Sequence, residues 1–166
     1  MAHSAGSLPA EDTKWWVVCQ RARYSVRTKF GTRAGVLSDR VDYAPSAVGA
    51  DSFDVAIATE VIEHLVRPHN LPGFAKQLLR PGGHLIISTP YHGYLKNLFI
   101  ALSNKWDSHL APLWDGGHIK LWSRKTLSQL LSETGFRVVR FIGAGRMPFL
   151  WKSMIMIAWK PEEPGQ

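Results

Sequence analysis

Two short apolar runs set the frame of this chain: Phe53–Thr59 (FDVAIAT) and His84–Thr89 (HLIIST), the second stopped by Pro90. Between them the spacing becomes helical, from about Glu60 to Val66, where Arg67-Pro68 breaks it. A second helical piece, Leu71–Leu79, ends at Arg80-Pro81-Gly82-Gly83. Two near-continuous, β-branched strands joined by a helical crossover predict a βαβ unit of a parallel sheet. Downstream, Leu95, Leu98, Phe99 and Leu102 recur at i, i+3, i+4 and i+7, which predicts an amphipathic helix within Gly93–Trp106. Ser108–Gly117 reads as a loop. Ser123 is an expected N-cap for a helix through Leu127, Leu130 and Leu131 to Thr134, with Gly135 as its stop. Phe136–Ile142 and Ser153–Lys160 read as strands, and Gly143-Ala144-Gly145 as a turn, because Pro148 follows and no helix does.

The front of the chain is less regular. Residues 1–12 read as a flexible leader, and Lys14–Cys19 (KWWVVC) holds a short strand. Gln20–Arg33 is basic without a period, Val36–Val41 is a less regular strand candidate, and Gly49–Ser52 is a turn. An unpaired Phe53–Thr59 edge would be apolar and prone to aggregation, so residues 15–19 are expected to pair with it.

Composition narrows the class. The 166 residues suffice for one domain with its own core. The single cysteine, Cys19, excludes an internal disulfide framework and a cysteine-based metal knuckle; with no secretory signal, the expected setting is cytosolic. The apolar stretch Phe149–Trp159 is short and contains Lys152, which argues against a transmembrane helix. The net charge of +7 is scattered over Arg21, Arg23, Arg27, Lys29 and Arg33 in front and Lys120, Arg124 and Lys125 behind. Without an aromatic–basic recognition motif, that pattern fits a solvated basic surface better than a nucleic-acid face. No Gly-x-Ser-x-Gly elbow or Gly-x-x-x-x-Gly-Lys loop is present, which removes the hydrolase and kinase readings.

Parallel sheets collect ligands at the carboxyl ends of their strands, where Thr59-Glu60 and Thr89-Pro90-Tyr91-His92 fall. On a helix, Glu60, Glu63 and His64 share one face, and two carboxylates with an imidazole suit a divalent ion. The same acidic residues also suit a helix N-terminus through its dipole. His92 has the chemistry of a general base, or of a surface-loop histidine. Trp106, His109, Trp114 and Asp115 read as a substrate wall or lid, or as packing.

FDVAIATEVIEHL, LLRPGGHLIISTP and WSRKTLSQLLSETGF occur in that order, and together they resemble the second half of a class I S-adenosylmethionine-dependent methyltransferase. The resemblance covers roughly residues 51–160, leaving 1–50 as an atypical segment and 161–166 as a tail. It implies an α/β, Rossmann-like methyltransferase sheet with helices on both faces, incomplete on its N-terminal side and with the last strand antiparallel. It implies cofactor contacts from Ala58, Thr59 and Glu60, and His92, Tyr91 and His64 as catalytic residues acting on a small-molecule methyl acceptor. Glu-x-x-Glu-His is similar to the pattern of ubiquinone-biosynthesis O-methyltransferases and small-RNA 3′-end 2′-O-methyltransferases. That similarity implies a Mg²⁺ or Zn²⁺ site of Glu60, Glu63, His64 and His118. The family's Asp/Glu-x-Gly-x-Gly-x-Gly cofactor loop is absent: Gly31 and Gly35 lie in FGTRAG, and Asp39 and Asp42 have no supporting context. Two alternatives therefore stand beside methyl transfer to a small molecule. One is an inactive remnant acting as a binding module, and the other is an RNA-end 2′-O-methyltransferase. An open sheet edge would allow pairing with another chain.

Overall fold

A computed structural model describes residues 15–19, 49–110, 112–113 and 117–162. Among these residues five strands form one sheet: β1 (Trp15–Cys19), β2 (Phe53–Thr59), β3 (Leu79–Pro90), β4 (Arg137–Ala144) and β5 (Ser153–Trp159), in the order β1-β2-β3-β5-β4. The first three are parallel, and β5 lies antiparallel between β3 and β4. The expected βαβ unit, the inserted antiparallel strand and the pairing of residues 15–19 with Phe53–Thr59 are all present. Trp15 lies opposite Val55 and Cys19 opposite Thr59. The candidate strand Val36–Val41 and the leader 1–12 lie outside the described residues.

Helices α1 (Asn70–Leu78) and α4 (Arg124–Glu133) cover one face. Their Leu71, Ala75, Leu78, Leu127, Leu130 and Leu131 join Leu85, Ile87, Met154, Met156 and Ala158 of β3 and β5 in one buried cluster. The alternate strand positions Ile57, Ile86, Ile155 and Ile157 are only half-buried. Ser123 caps α4 as expected: its hydroxyl accepts the Thr126 N–H, and the Thr126 hydroxyl accepts the Ser123 N–H in return.

Three elements depart from the sequence expectation. Glu60–Val66 is not a helix but a single 3-10 turn, Ile62–His64. Glu60 sits in the left-handed region (φ 52°) and donates its N–H to the Ser88 carbonyl at 2.9 Å, which extends the ladder of β2 by one residue. Only one turn then fits before Arg67-Pro68 demands extended backbone. The Pro81-Gly82-Gly83 stop acts one element later than expected. Helix α1 already ends at Leu78, and Pro81-Gly82-Gly83 is a bulge inside β3, where the pairing jumps from Phe53–Leu79 to Val55–His84 and Gly82 takes a φ of 81°. The stretch Gly93–Trp106 divides into α2 (Tyr94–Leu102) and α3 (Trp106–Leu110), with Asn104 left-handed between them. Helix α2 turns its apolar stripe outward. Leu95, Leu98, Phe99 and Leu102 are exposed, whereas Lys96 and Ile100 are buried.

Candidate functional site

The carboxyl ends of the three parallel strands are level, with Cys19 opposite Thr59 and Thr59 opposite Ser88. From this rim the chain turns twice. After β2 it enters the 3-10 turn, and after β3 it continues through Tyr91-His92 into α2. Ala58, near the end of β2, is fully buried. The Glu60 carboxylate accepts the Ser88 hydroxyl at 3.0 Å.

The tight turn drives Glu63 inward, where it is 1% exposed. Its Oε2 accepts the Thr89 hydroxyl at 3.0 Å, and its backbone carbonyl accepts the N–H groups of Ile119 and Lys120, each at 3.0 Å. Those two bonds pin the segment 117–120 against the turn and bring His118 to His64, the ring centroids 5.0 Å apart. The ligand atoms of Glu63, His64 and His118 lie within 4.8 Å of one another. Glu60, expected on the same helical face, is not in this group, because without a helix the i, i+3, i+4 spacing no longer aligns the side chains. Burial, reinforced by the charge of Glu60 and opposed by its own backbone and the Thr89 hydrogen bond, lifts the Glu63 pKa to about 7. The other oxygen of Glu63, Oε1, is buried with no hydrogen-bond partner among the described residues and lies 3.6 Å from His64 Nε2. His64 Nδ1 is 3.0 Å from the Gly117 carbonyl, a bond that needs the proton on Nδ1 and turns Nε2 toward Glu63. An orphaned buried carboxylate oxygen facing imidazole nitrogens is a donor set that fits a divalent cation.

Tyr91 and His92 are held by the segment that leads into α4. Tyr91 forms an isolated parallel bridge with Trp122, and the His92 N–H donates to the Trp122 carbonyl at 2.9 Å. The Tyr91 ring is buried, packed edge-on against Trp151 with centroids 5.2 Å apart. His92 is buried too; its Nδ1 lies 2.9 Å from Asn97 Oδ1 and its Nε2 lies 3.2 Å from His109 Nε2. His109, on α3, stands between His92 and His118, at ring-centroid distances of 4.9 and 6.3 Å. A continuous file of side chains thus runs Glu63, His64, His118, His109, His92.

Burial lowers the pKa of His92 and of His118, and it brings His109 down to about 4, helped by the positive charge of Lys96. At neutral pH these imidazoles are uncharged and offer lone pairs. Lys96 is itself buried and lowered to about 8, chiefly by desolvation. Neither Lys96 nor Asn97 has a role legible in the sequence, where His109 reads as part of a substrate wall or lid, or as packing. Lys96 lies off the Leu95, Leu98, Phe99 and Leu102 stripe, on the face that the spacing marks as polar, so the pattern carries no signal for its burial. Trp106 is half-buried on α3, while Trp114 and Asp115 lie outside the described residues.

Comparison with known proteins adds family context. Residues 12–140 match the family model described as "Methyltransferase domain", a stretch that begins well before the motifs legible from residue 51 onward. The chain is 25% identical over 103 residues to a ubiquinone biosynthesis O-methyltransferase of Aromatoleum aromaticum, covering 62% of this chain and 44% of that protein. It is 27% identical over 120 residues to the human mitochondrial ubiquinone biosynthesis O-methyltransferase, covering 69% of this chain and 32% of that protein. It therefore spans about a third to a half of these relatives' length. In fold it is similar to the crystal structure of a Burkholderia thailandensis 1,6-didemethyltoxoflavin-N1-methyltransferase with bound 1,6-didemethyltoxoflavin and S-adenosylhomocysteine. That similarity has a TM-score of 0.51 at 16% identity and covers 70% of this chain and 48% of the other. Among the described residues no helix is long and apolar enough to cross a membrane.

Proposed function

The chain belongs to the methyltransferase-domain family, and on that premise we propose that it transfers the methyl group of S-adenosylmethionine to a hydroxyl or other nucleophile of a small molecule. The observation that carries this reading is the buried, uncharged His92 at the carboxyl rim of the parallel strands, beside the end of β2 where the cofactor would sit. Ala58, Thr59 and Glu60 are the residues proposed to meet the cofactor. Bound S-adenosylmethionine supplies a methyl group on a sulfonium, already activated for in-line attack. What the chain must add is alignment of the acceptor and a place for its proton. His92 is the proposed base. Tyr91, anchored by its ring, holds the backbone from which His92 projects. The setting proposed is cytosolic, supported by the single cysteine.

Glu63, His64 and His118 are the proposed holders of a divalent ion, with Glu60 close enough to act on Glu63 electrostatically. Two imidazoles and one carboxylate suit Zn²⁺ or Mn²⁺ better than Mg²⁺. Such an ion would lower the pKa of an acceptor hydroxyl and orient it.

A second reading, a partner-binding module without catalysis, is favoured by the missing Gly-rich cofactor turn. Calorimetry with S-adenosylmethionine and S-adenosylhomocysteine separates the two. Micromolar binding by the folded chain supports methyl transfer. No heat from a folded chain, with either ligand, rejects it in favour of the module.

A further inference from the structure

Asn97 lies one turn into α2, and its carboxamide oxygen is 2.9 Å from His92 Nδ1. A carbonyl oxygen can only accept, so the proton between them belongs to Nδ1. In a neutral imidazole that leaves Nε2 as the lone pair. The geometry behind this bond is rigid. Gly93, the N-cap of α2, is extended (φ −96°, ψ 165°), and its carbonyl accepts the Asn97 N–H at 3.0 Å. A Cβ at Gly93 would collide with the Tyr91 hydroxyl, so the backbone between His92 and Asn97 is fitted closely to the buried ring.

We infer that Asn97 is a positioning residue that holds His92 in its Nδ1–H tautomer and so keeps Nε2 free of a proton for the methyl acceptor. The inference rests on the methyl-transfer reading given above. The opposite tautomer would set the Nδ1 lone pair against the Asn97 oxygen, an unfavourable contact between two acceptors. With Nε2 of His92 accepting, His109 Nε2, 3.2 Å away, must be the donor. The His109 N–H therefore occupies the station that an acceptor O–H takes during the reaction. In that step the acceptor oxygen forms its bond to the methyl carbon as the carbon–sulfur bond breaks, and the bonding pair stays on sulfur as a thioether. The acceptor's proton passes to His92 Nε2. The resulting imidazolium keeps its Nδ1–H on Asn97 until the Nε2 proton leaves to solvent.

The two imidazoles should thus carry opposite tautomers. Two-bond proton–nitrogen correlation spectra of the ¹⁵N-labelled chain at neutral pH read this without any substrate. Protonated Nδ1 on His92 and protonated Nε2 on His109 are expected. Asn97→Leu should lose the protonated Nδ1 signal of His92, and Asn97→Asp, whose carboxylate also accepts, should restore it. A His92 protonated at Nε2 in the unmodified chain, or one unchanged by Asn97→Leu, overturns the inference. If Asn97→Leu fails to fold, the spectrum of the unmodified chain and of Asn97→Asp decides alone. S-adenosylhomocysteine calorimetry on the same samples keeps the two ideas apart. Binding with the wrong tautomer rejects the role of Asn97 only. The expected tautomer with no binding rejects methyl transfer, and with it the catalytic purpose of the lock.

Discussion

Lys96 carries an ammonium group into a site of neutral histidines. It is 4% exposed and donates to the Lys152 carbonyl at 3.1 Å. That carbonyl also accepts the Tyr91 N–H at 3.3 Å, so replacing the lysine strands no acceptor. Burial lowers the Lys96 pKa from 10.5 to about 8, so between those values the unfolded chain binds more protons than the native one, and stability rises with pH across that interval. Lys96→Met should flatten that rise and stabilise the protein at pH 7 by about 1–3 kcal/mol, measured by denaturant melts at several pH values. Retention of the wild-type slope would place the lysine in water instead. Glu63 works with the opposite sign. Its pKa is raised from 4.5 to about 7, so the native chain holds more protons in that window and stability falls as pH rises through it. In metal-free protein Glu63→Gln should remove this decline, and it should also abolish the heat of Zn²⁺ binding in calorimetry. Unchanged zinc binding by the variant would reject the proposed ligand set. For His92→Ala a fall in kcat of roughly 10²–10⁴-fold is expected once an acceptor is found, the usual share of a general base.

Helix α2 is the element where pattern and packing disagree. Its leucines and Phe99 repeat at helical spacing, yet Tyr94 is 81% and Leu102 80% exposed, while Ile100 is buried. The spacing establishes that a helix forms. It does not establish which face meets the sheet, because the two bonds at the start of α2, His92 to Trp122 and Lys96 to Lys152, fix the rotation of the helix first. The consequence is a contrast between neighbouring positions. Ile100→Ala should cost about 2–4 kcal/mol, as large-to-small core changes do. Leu102→Gln should stay within roughly 0.5 kcal/mol, as surface changes do. Thermal or urea melts of both variants give the comparison, and a reversed order would mean that α2 packs by its leucine stripe. The 3-10 turn after β2 teaches the same lesson at a smaller scale. Glu-x-x-Glu-His has helical spacing, but Pro68 and the extra ladder bond of Glu60 leave room for one turn only.

At the scale of the molecule, β1 covers the edge of β2, and among the described residues this pairing joins 15–19 to strands that all come from beyond residue 52. Deleting residues 1–19 should expose the β2 edge, lower solubility and speed amide exchange in Phe53–Thr59; a deletion variant as soluble and as protected as the full chain would show that the pairing contributes nothing. A second long-range tie closes the other end. The Lys160 ammonium, just after β5, donates to Asp51 Oδ1 at 2.7 Å and to the carbonyls of Lys76 and Leu79 at 2.8 and 2.6 Å, so that a residue far along the chain caps the C-terminus of α1. Much of this architecture was legible beforehand. Phe53–Thr59, His84–Thr89 and Ser153–Lys160 are apolar runs that make sense only as sheet, Ser123 and Gly135 bracket α4, and the order of motifs carried the family. These are local or periodic signals, written in neighbouring residues. The site is different, because it depends on distance in space. Glu63 enters the core only because the turn is tight, and His118 reaches His64 only because two backbone N–H groups bond the Glu63 carbonyl. His109 meets His92 only because the chain turns at Asn104 between α2 and α3. Sequence by itself determined the parallel strands, the existence of α1, α2 and α4, and the residues able to do chemistry at the rim. Tertiary structure alone decided which of those residues face one another and which are stripped of water, since burial and hydrogen-bond partners are properties of the packed chain.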